Sequence, residues 1–126
     1  MSQEIFIKVN TVKAKAQLND SKTARAIYDR LPIESRVNIW GEEIYFNIPV
    51  MADLEKDFAK DVVQLGDLGY WPQGPAFCIF FGQTPISSDS EIRPASSVNV
   101  IGKINGDTEV FKKIKDGSAI TLEKSA

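Results

Sequence analysis

Tyr70 and Trp71 stand side by side in residues 66–82, GDLGYWPQGPAFCIFFG, on a Gly- and Pro-punctuated loop that feeds an apolar run over 76–81. Gly66, Gly69 and Gly74 permit tight backbone paths, while Pro72 and Pro75 stiffen them. Two amphipathic rings on a stiff loop suit noncovalent capture of a ligand. The competing role for the same rings is to plug the mouth of the fold. A second aromatic group lies at 38–47, where Asn38, Trp40, Tyr45 and Asn47 take alternate positions. That face is either solvent-facing or the wall of a binding groove. Phe77, Phe81 and Asn99 complete the candidate ligand-binding set. Glu42 and Glu43, beside Trp40 and Gly41, most simply form a polar turn; the alternative is that one of them points into the groove.

The residues that are missing exclude more than those present allow. With no histidine in 126 residues, a Ser-His-Asp relay, a histidine base and histidine-containing zinc sites are all closed. The single Cys78 lies inside the apolar run, where a thiol acts as a small hydrophobe; it can form neither an intrachain disulfide nor a multi-thiolate metal site. No metal or redox cofactor is therefore expected. Asp53, Glu55, Asp57 and Asp61 alternate with Lys56 and Lys60, which reads as helical charge pairing in preference to a metal or acid-base cluster. The stretch 87–91, SSDSE, lacks the spacing of a calcium loop and reads as solvated chain. A net charge of −2 with scattered Lys and Arg offers no basic stripe, so nucleic acid is not an expected partner. No apolar run reaches the length of a membrane span and no secretory leader opens the chain, so the expectation is a cytoplasmic protein without membrane contact. Oligomeric state has no signature in the sequence.

The elements that must position these groups follow from periodicity. Ile5, Ile7 and Val9, then Val12, Ala14, Ala16 and Leu18, alternate with polar residues and predict a hairpin turning at Asn10 and Thr11. Ala24, Ile27, Tyr28 and Leu31 change the period to helical over 20–31, with Asp20 or Ser21 as cap and Pro32 as stop. Period two returns from Arg36 to Ile48, with a turn at Gly41 and Glu42. Residues 49–64 fit a crossover carrying a turn or two of helix. The bounded run 76–81 predicts a strand buried on both faces. Residues 97–104 predict another strand, 107–116 a second helix ended by Gly117, and 119–123 a last strand. About seven strands and two short helices in irregular alternation argue for one domain over 1–126, built on a mainly antiparallel closed sheet.

Three ordered stretches add a resemblance to this reading. WGEEIYF at 40–46, GDLGYWPQGPAFCIFFGQTP at 66–85 and SVNVIGKI at 97–104 resemble strings that recur in the small prokaryotic cyclophilin-like proteins. VNVIGKINGDTEVFKKIKDG at 98–117 is similar to a cyclophilin strand and helix. The resemblance implies a closed cyclophilin-like β-barrel of about eight strands with a short α-helix covering each end. Cyclophilins isomerise Xaa-Pro bonds by seating proline in an apolar pocket beside an arginine. By the same resemblance the family's glutamine, pocket phenylalanine and histidine correspond here to Ala76, Cys78 and Val98, and its tryptophan is missing from 86–97. The expected function is therefore binding of a peptide or small molecule in an aromatic-lined groove, drawn from Trp40, Tyr45, Tyr70, Trp71, Phe77, Phe81 and Asn99. The alternative is weak peptidyl-prolyl isomerisation dependent on Arg36 or Arg93.

Overall fold

The computed structural model describes residues 3–125. Its strands are β1 (Gln3–Val9), β2 (Val12–Leu18), β3 (Ile33–Arg36), β4 (Asn38–Trp40), β5 (Glu43–Asn47), β6 (Ala59–Lys60), β7 (Asp67–Trp71), β8 (Ala76–Phe80), β9 (Val98–Asn105) and β10 (Ala119–Lys124). One α-helix, α1 (Lys22–Asp29), and one 3-10 helix (Thr108–Lys113) complete the fold. The N-terminal hairpin turns at Asn10, whose φ of 54° lies in the left-handed region that Asn tolerates. Ser21 caps α1 by accepting a 3.0 Å hydrogen bond from the Ala24 amide, and Ala24 and Ile27 bury the helix's apolar face. The second helical segment is a 3-10 helix that buries Phe111 and ends at the extended, buried Ile114.

Residues 49–64 form no α-helix; between turns they contribute only β6. Their backbone is held from outside instead. The Tyr70 hydroxyl donates to the Val50 carbonyl at 2.6 Å and accepts from the Ala52 amide at 3.1 Å. The Asn99 amide accepts from Glu55 N at 2.7 Å and donates to the Asp53 carbonyl at 2.9 Å. The acidic residues of this segment are accordingly not paired along a helix: the Glu55 carboxylate accepts from the Lys22 and Thr23 amides at 3.0 and 2.9 Å, satisfying free donors at the start of α1.

The strands form one antiparallel sheet ordered β3-β10-β1-β2-β9-β7-β8-β5-β4, with β6 paired to β9. The ladder is open, so the expected closed barrel of about eight strands with two α-helices is corrected, among the described residues, to an open sheet of ten strands with one α-helix and one 3-10 helix. The two ends of this order, β3 and β4, are separated along the chain by Val37 alone. A sheet whose opposite edges are one residue apart has to curl until those edges approach. Accordingly, the Ser35 hydroxyl of β3 donates to the Asn47 carbonyl of β5 at 2.9 Å. The ladder fails to close because Val37 spends its backbone groups on the turn before β10, donating to Ser118 O at 2.9 Å and accepting from Gly117 N at 2.7 Å.

The inner face carries the main core, including Ile5, Ile7, Phe46, Leu68, Phe77, Ile79, Phe111 and Leu122. Phe46 and Phe77 stack across β5 and β8 with ring centroids 5.2 Å apart. The outer face of β8 bears a smaller cluster of Val63, Cys78, Phe80, Ile92 and Val98. Strand β8 is thus buried on both faces, as the bounded apolar run predicts. Among the described residues no helix is long and apolar enough to cross a membrane.

Candidate functional site

Period-two geometry selects the side chains that meet on the outer face. On β5, Glu43 and Tyr45 point the same way; Trp40 of β4 is the register partner of Glu43, and Cys78 of β8 is the partner of Tyr45. On β7, Trp71 follows Gly69, which pairs with Cys78. These residues, with Val98 of β9 and with Pro94 and Ala95, line a cleft of about 150 Å³: Trp40, Glu43, Tyr45, Trp71, Cys78, Pro94, Ala95 and Val98. Gly69 has a packing role beneath it, because a Cβ there would come within 3.1 Å of both the Phe80 ring and Val98.

The far wall is residues 82–97, a loop tied to itself and to the hairpin tip. Ser87 Oγ accepts from the Thr84 and Arg93 amides at 3.0 and 2.9 Å, and the Thr84 hydroxyl donates to the Arg93 carbonyl. Polar side chains thereby close the loop on itself and leave Ile92 and Pro94 buried. At the hairpin tip Gly41 has a φ of +61°, and a Cβ there would stand 2.7 Å from Pro85 Cδ; the Glu42 amide donates to Gln83 O at 2.9 Å. Trp71 is fixed from two sides. Its indole N–H donates to Ser96 Oγ at 2.6 Å, and Ser96 donates in turn to Gln73 Oε1 at 3.0 Å. The edge of its six-membered ring lies where a Cβ on Gly74 would fall, 2.6 Å away.

Glu43 is the anomalous member of this lining. It is 5% exposed, and its Oε1 has no hydrogen-bond partner among the described residues. Burial pushes its carboxyl up to about 7, an effect partly opposed by a hydrogen bond with the Cys78 thiol. Burial and the neighbouring Glu43 charge push the Cys78 thiol well above its usual range, so it stays a neutral thiol and not a nucleophile. Glu42, by contrast, faces outward, 3.7 Å from Lys112 Nζ. The arrangement offers an apolar slot, three aromatic side chains and one carboxyl whose charge is balanced near neutral pH.

Of the seven ligand-binding candidates, Trp40, Tyr45 and Trp71 line this cleft, and both tryptophans therefore share it. Tyr70, Phe77 and Phe81 do not: Tyr70 points inward to brace Val50 and Ala52, Phe77 stacks on Phe46, and Phe81 packs 6.2 Å from Phe111. Asn99 is fully buried with its amide engaged by Thr23, Asp53 and Glu55, so it anchors the crossover and has no free group for a ligand. Arg36 donates to Gly117 O at 3.0 Å, and Arg93 pairs with Glu91 at 3.1 Å; neither lines the cleft. Glu43 is identifiable by parity, since it shares a face with Tyr45. Pro94 and Ala95 sit in a loop with no period that could mark them.

A family model described as cyclophilin-like matches residues 3–123. Among solved structures, the solution structure of the hypothetical protein AF2241 from Archaeoglobus fulgidus is 43% identical. It aligns with a TM-score of 0.82 over 98% of this chain and 95% of that one. McbB, solved in complex with tryptophan, aligns with a TM-score of 0.71 at 12% identity over 97% of this chain and 45% of that one, a likeness of fold alone. No curated protein matches the chain.

Proposed function

The chain belongs to the cyclophilin-like family, and from that premise we propose that it is a binding module whose outer-face cleft holds a small organic molecule, free or as a peptide side chain. One observation carries the reading. Three aromatic side chains from three strands, Trp40, Tyr45 and Trp71, line one apolar slot whose wall also includes Glu43, a residue with a buried, unpartnered carboxyl oxygen. Slots of this make-up gain affinity from ring burial and orientation from a single polar group. Cys78 and Val98, which correspond by resemblance to the cyclophilin pocket phenylalanine and histidine, also line it. By that resemblance the cleft corresponds to the cyclophilin pocket with altered walls. The isomerase reading draws support from that correspondence alone, because Arg36 and Arg93 make their bonds elsewhere.

The test is a two-dimensional NMR titration of isotopically labelled protein with small aromatic and aliphatic fragments covering cationic, neutral and anionic forms. Binding at the cleft moves the indole resonances of Trp40 and Trp71 together with the amides of Cys78 and Val98. A panel in which no fragment of any charge moves both indoles would overturn the reading.

A further inference from the structure

The polar group in the cleft specifies the chemistry of its occupant. Glu43 Oε1 is an acceptor buried away from water and unpartnered among the described residues, a state that favours a ligand bringing a donor. The remaining lining supplies no cation: it consists of Trp40, Tyr45, Trp71, Cys78, Pro94, Ala95 and Val98. The faces of tryptophan and tyrosine carry negative quadrupoles that attract a cation, most strongly where water is excluded. An acceptor and three electron-rich aromatic side chains around one small volume therefore favour positive charge and disfavour an anion. The volume, about 150 Å³, limits the body that carries the charge. A cavity of about that size accepts a benzene-sized group.

We propose that the cleft selects an organic ammonium, a compact apolar body bearing one protonated amine, with the nitrogen drawn to the Glu43 carboxyl and the body among the rings of Trp40, Tyr45 and Trp71. This rests on the reading of the cleft as a binding site and adds the ligand class. It also fixes a pH signature. The titratable groups facing Glu43 across the cleft are Cys78 on β8 and Tyr45 on β5; β4, β7, β9 and the loop wall contribute Trp40, Trp71, Val98, Pro94 and Ala95. Cys78 is held neutral by burial and by Glu43 itself. Glu43, pushed up to about 7, gains its charge as pH rises through neutrality, and affinity for an ammonium rises with it.

The experiment compares 2-phenylethylamine, 2-phenylethanol and phenylacetate, which share a body and differ in charge. Binding is measured by calorimetry and by the Trp40 and Trp71 indole resonances, for the intact chain and for Glu43→Gln, at about pH 8 and about pH 5.5, on either side of the carboxyl's titration. At the higher pH the amine binds about tenfold or more tightly than the alcohol, and that preference shrinks about tenfold at the lower pH. Phenylacetate binds more weakly than either. In Glu43→Gln the amine loses its advantage at both pH values while the alcohol keeps its affinity. Should that variant not fold, the pH series on the intact chain decides alone. Equal binding of amine and alcohol at the cleft overturns the ammonium proposal and leaves the binding reading standing. An alcohol that binds better than the amine overturns it too, marking the protonated carboxyl as a donor. If none of the three probes moves either indole the ammonium proposal falls, and the fragment panel above then decides the binding reading separately.

Discussion

At the scale of the residue, Glu43 departs furthest from what its environment would choose. A carboxyl on the outer face of a sheet ordinarily reaches water, yet this one is covered by the Trp40 and Tyr45 side of the hairpin and by the 82–97 loop. Its folded-state value of about 7 lies above the ordinary 4.5, so the folded chain holds a proton that the unfolded chain releases between those values. Stability therefore declines as pH rises from about 4.5 to about 7 and is level above that, by roughly 3 kcal/mol in all for one such group. Glu43→Gln removes the titration while keeping the shape. Urea unfolding should show the variant gaining about 1–3 kcal/mol over the parent near pH 8 and little near pH 5. A parent and variant with parallel pH profiles would mean that the carboxyl reaches solvent. Gly74 makes a second residue-scale case. Its alanine variant places a methyl group against the Trp71 ring edge, where a Cβ falls at 2.6 Å, so the indole has to shift and its bond to Ser96 lengthens. The expected result is a moved Trp71 indole resonance, weakened fragment binding and a loss of about 1–3 kcal/mol from overpacking. Unchanged binding with a moved resonance would place the ligand away from that ring.

At the scale of elements, the crossover between β5 and β7 shows how three polar side chains substitute for regular structure. Residues 49–64 lack an α-helix and meet the core through Tyr70, Asn99 and Glu55, which together tie the crossover to β7, β9 and the start of α1. Asn99→Ala removes bonds to Thr23, Asp53 and Glu55 at once and leaves buried groups unpaired. A loss of about 2–4 kcal/mol is expected. Hydrogen exchange should rise in 50–58 and in α1, while fragment binding at the cleft stays the same. Weaker binding without lost protection would return Asn99 to the ligand site. The same crossover marks the limit of what periodicity conveys. The hairpins β1-β2 and β4-β5, their turns at Asn10 and Gly41, and the ring-bearing face of Trp40 and Tyr45 all follow from alternation, because one side of each strand is polar. On β8 both sides are apolar, so nothing in Ala76 to Phe80 tells that Phe77 faces the core and Cys78 the cleft. Tyr70 and Trp71 are adjacent, so strand geometry sends them to opposite faces, but the sequence around them does not say which face is inner. Pro94 carries no such signal for another reason: its loop is polar in composition and buries apolar residues by bonding its own hydroxyls to its own backbone and by pairing with Glu42 and Val63.

At the scale of the whole molecule, the curl of the sheet decides which distant groups can cooperate. The order from β3 round to β4 brings both edges together at Val37, yet it spends Arg36 on the Gly117 carbonyl beside β10. Arg93 lies next to Pro94, a cleft residue, but is turned to Glu91. Isomerisation of an Xaa-Pro bond is accelerated only by contacts stronger in the twisted state than in either planar one. A ring-lined slot holds all three states about equally, and neither arginine stands in its lining to favour the twisted amide. The uncatalysed reaction takes tens to hundreds of seconds at about 25 °C, so a small acceleration is readily seen. In a protease-coupled assay the chain should leave the rate within about twofold of the uncatalysed value. Arg36→Ala and Arg93→Ala should leave that rate and fragment binding at Trp40 and Trp71 unchanged. A clear acceleration lost in Arg93→Ala would overturn the binding-module reading in favour of catalysis, because it would require Arg93 to leave Glu91 and swing its guanidinium over the cleft.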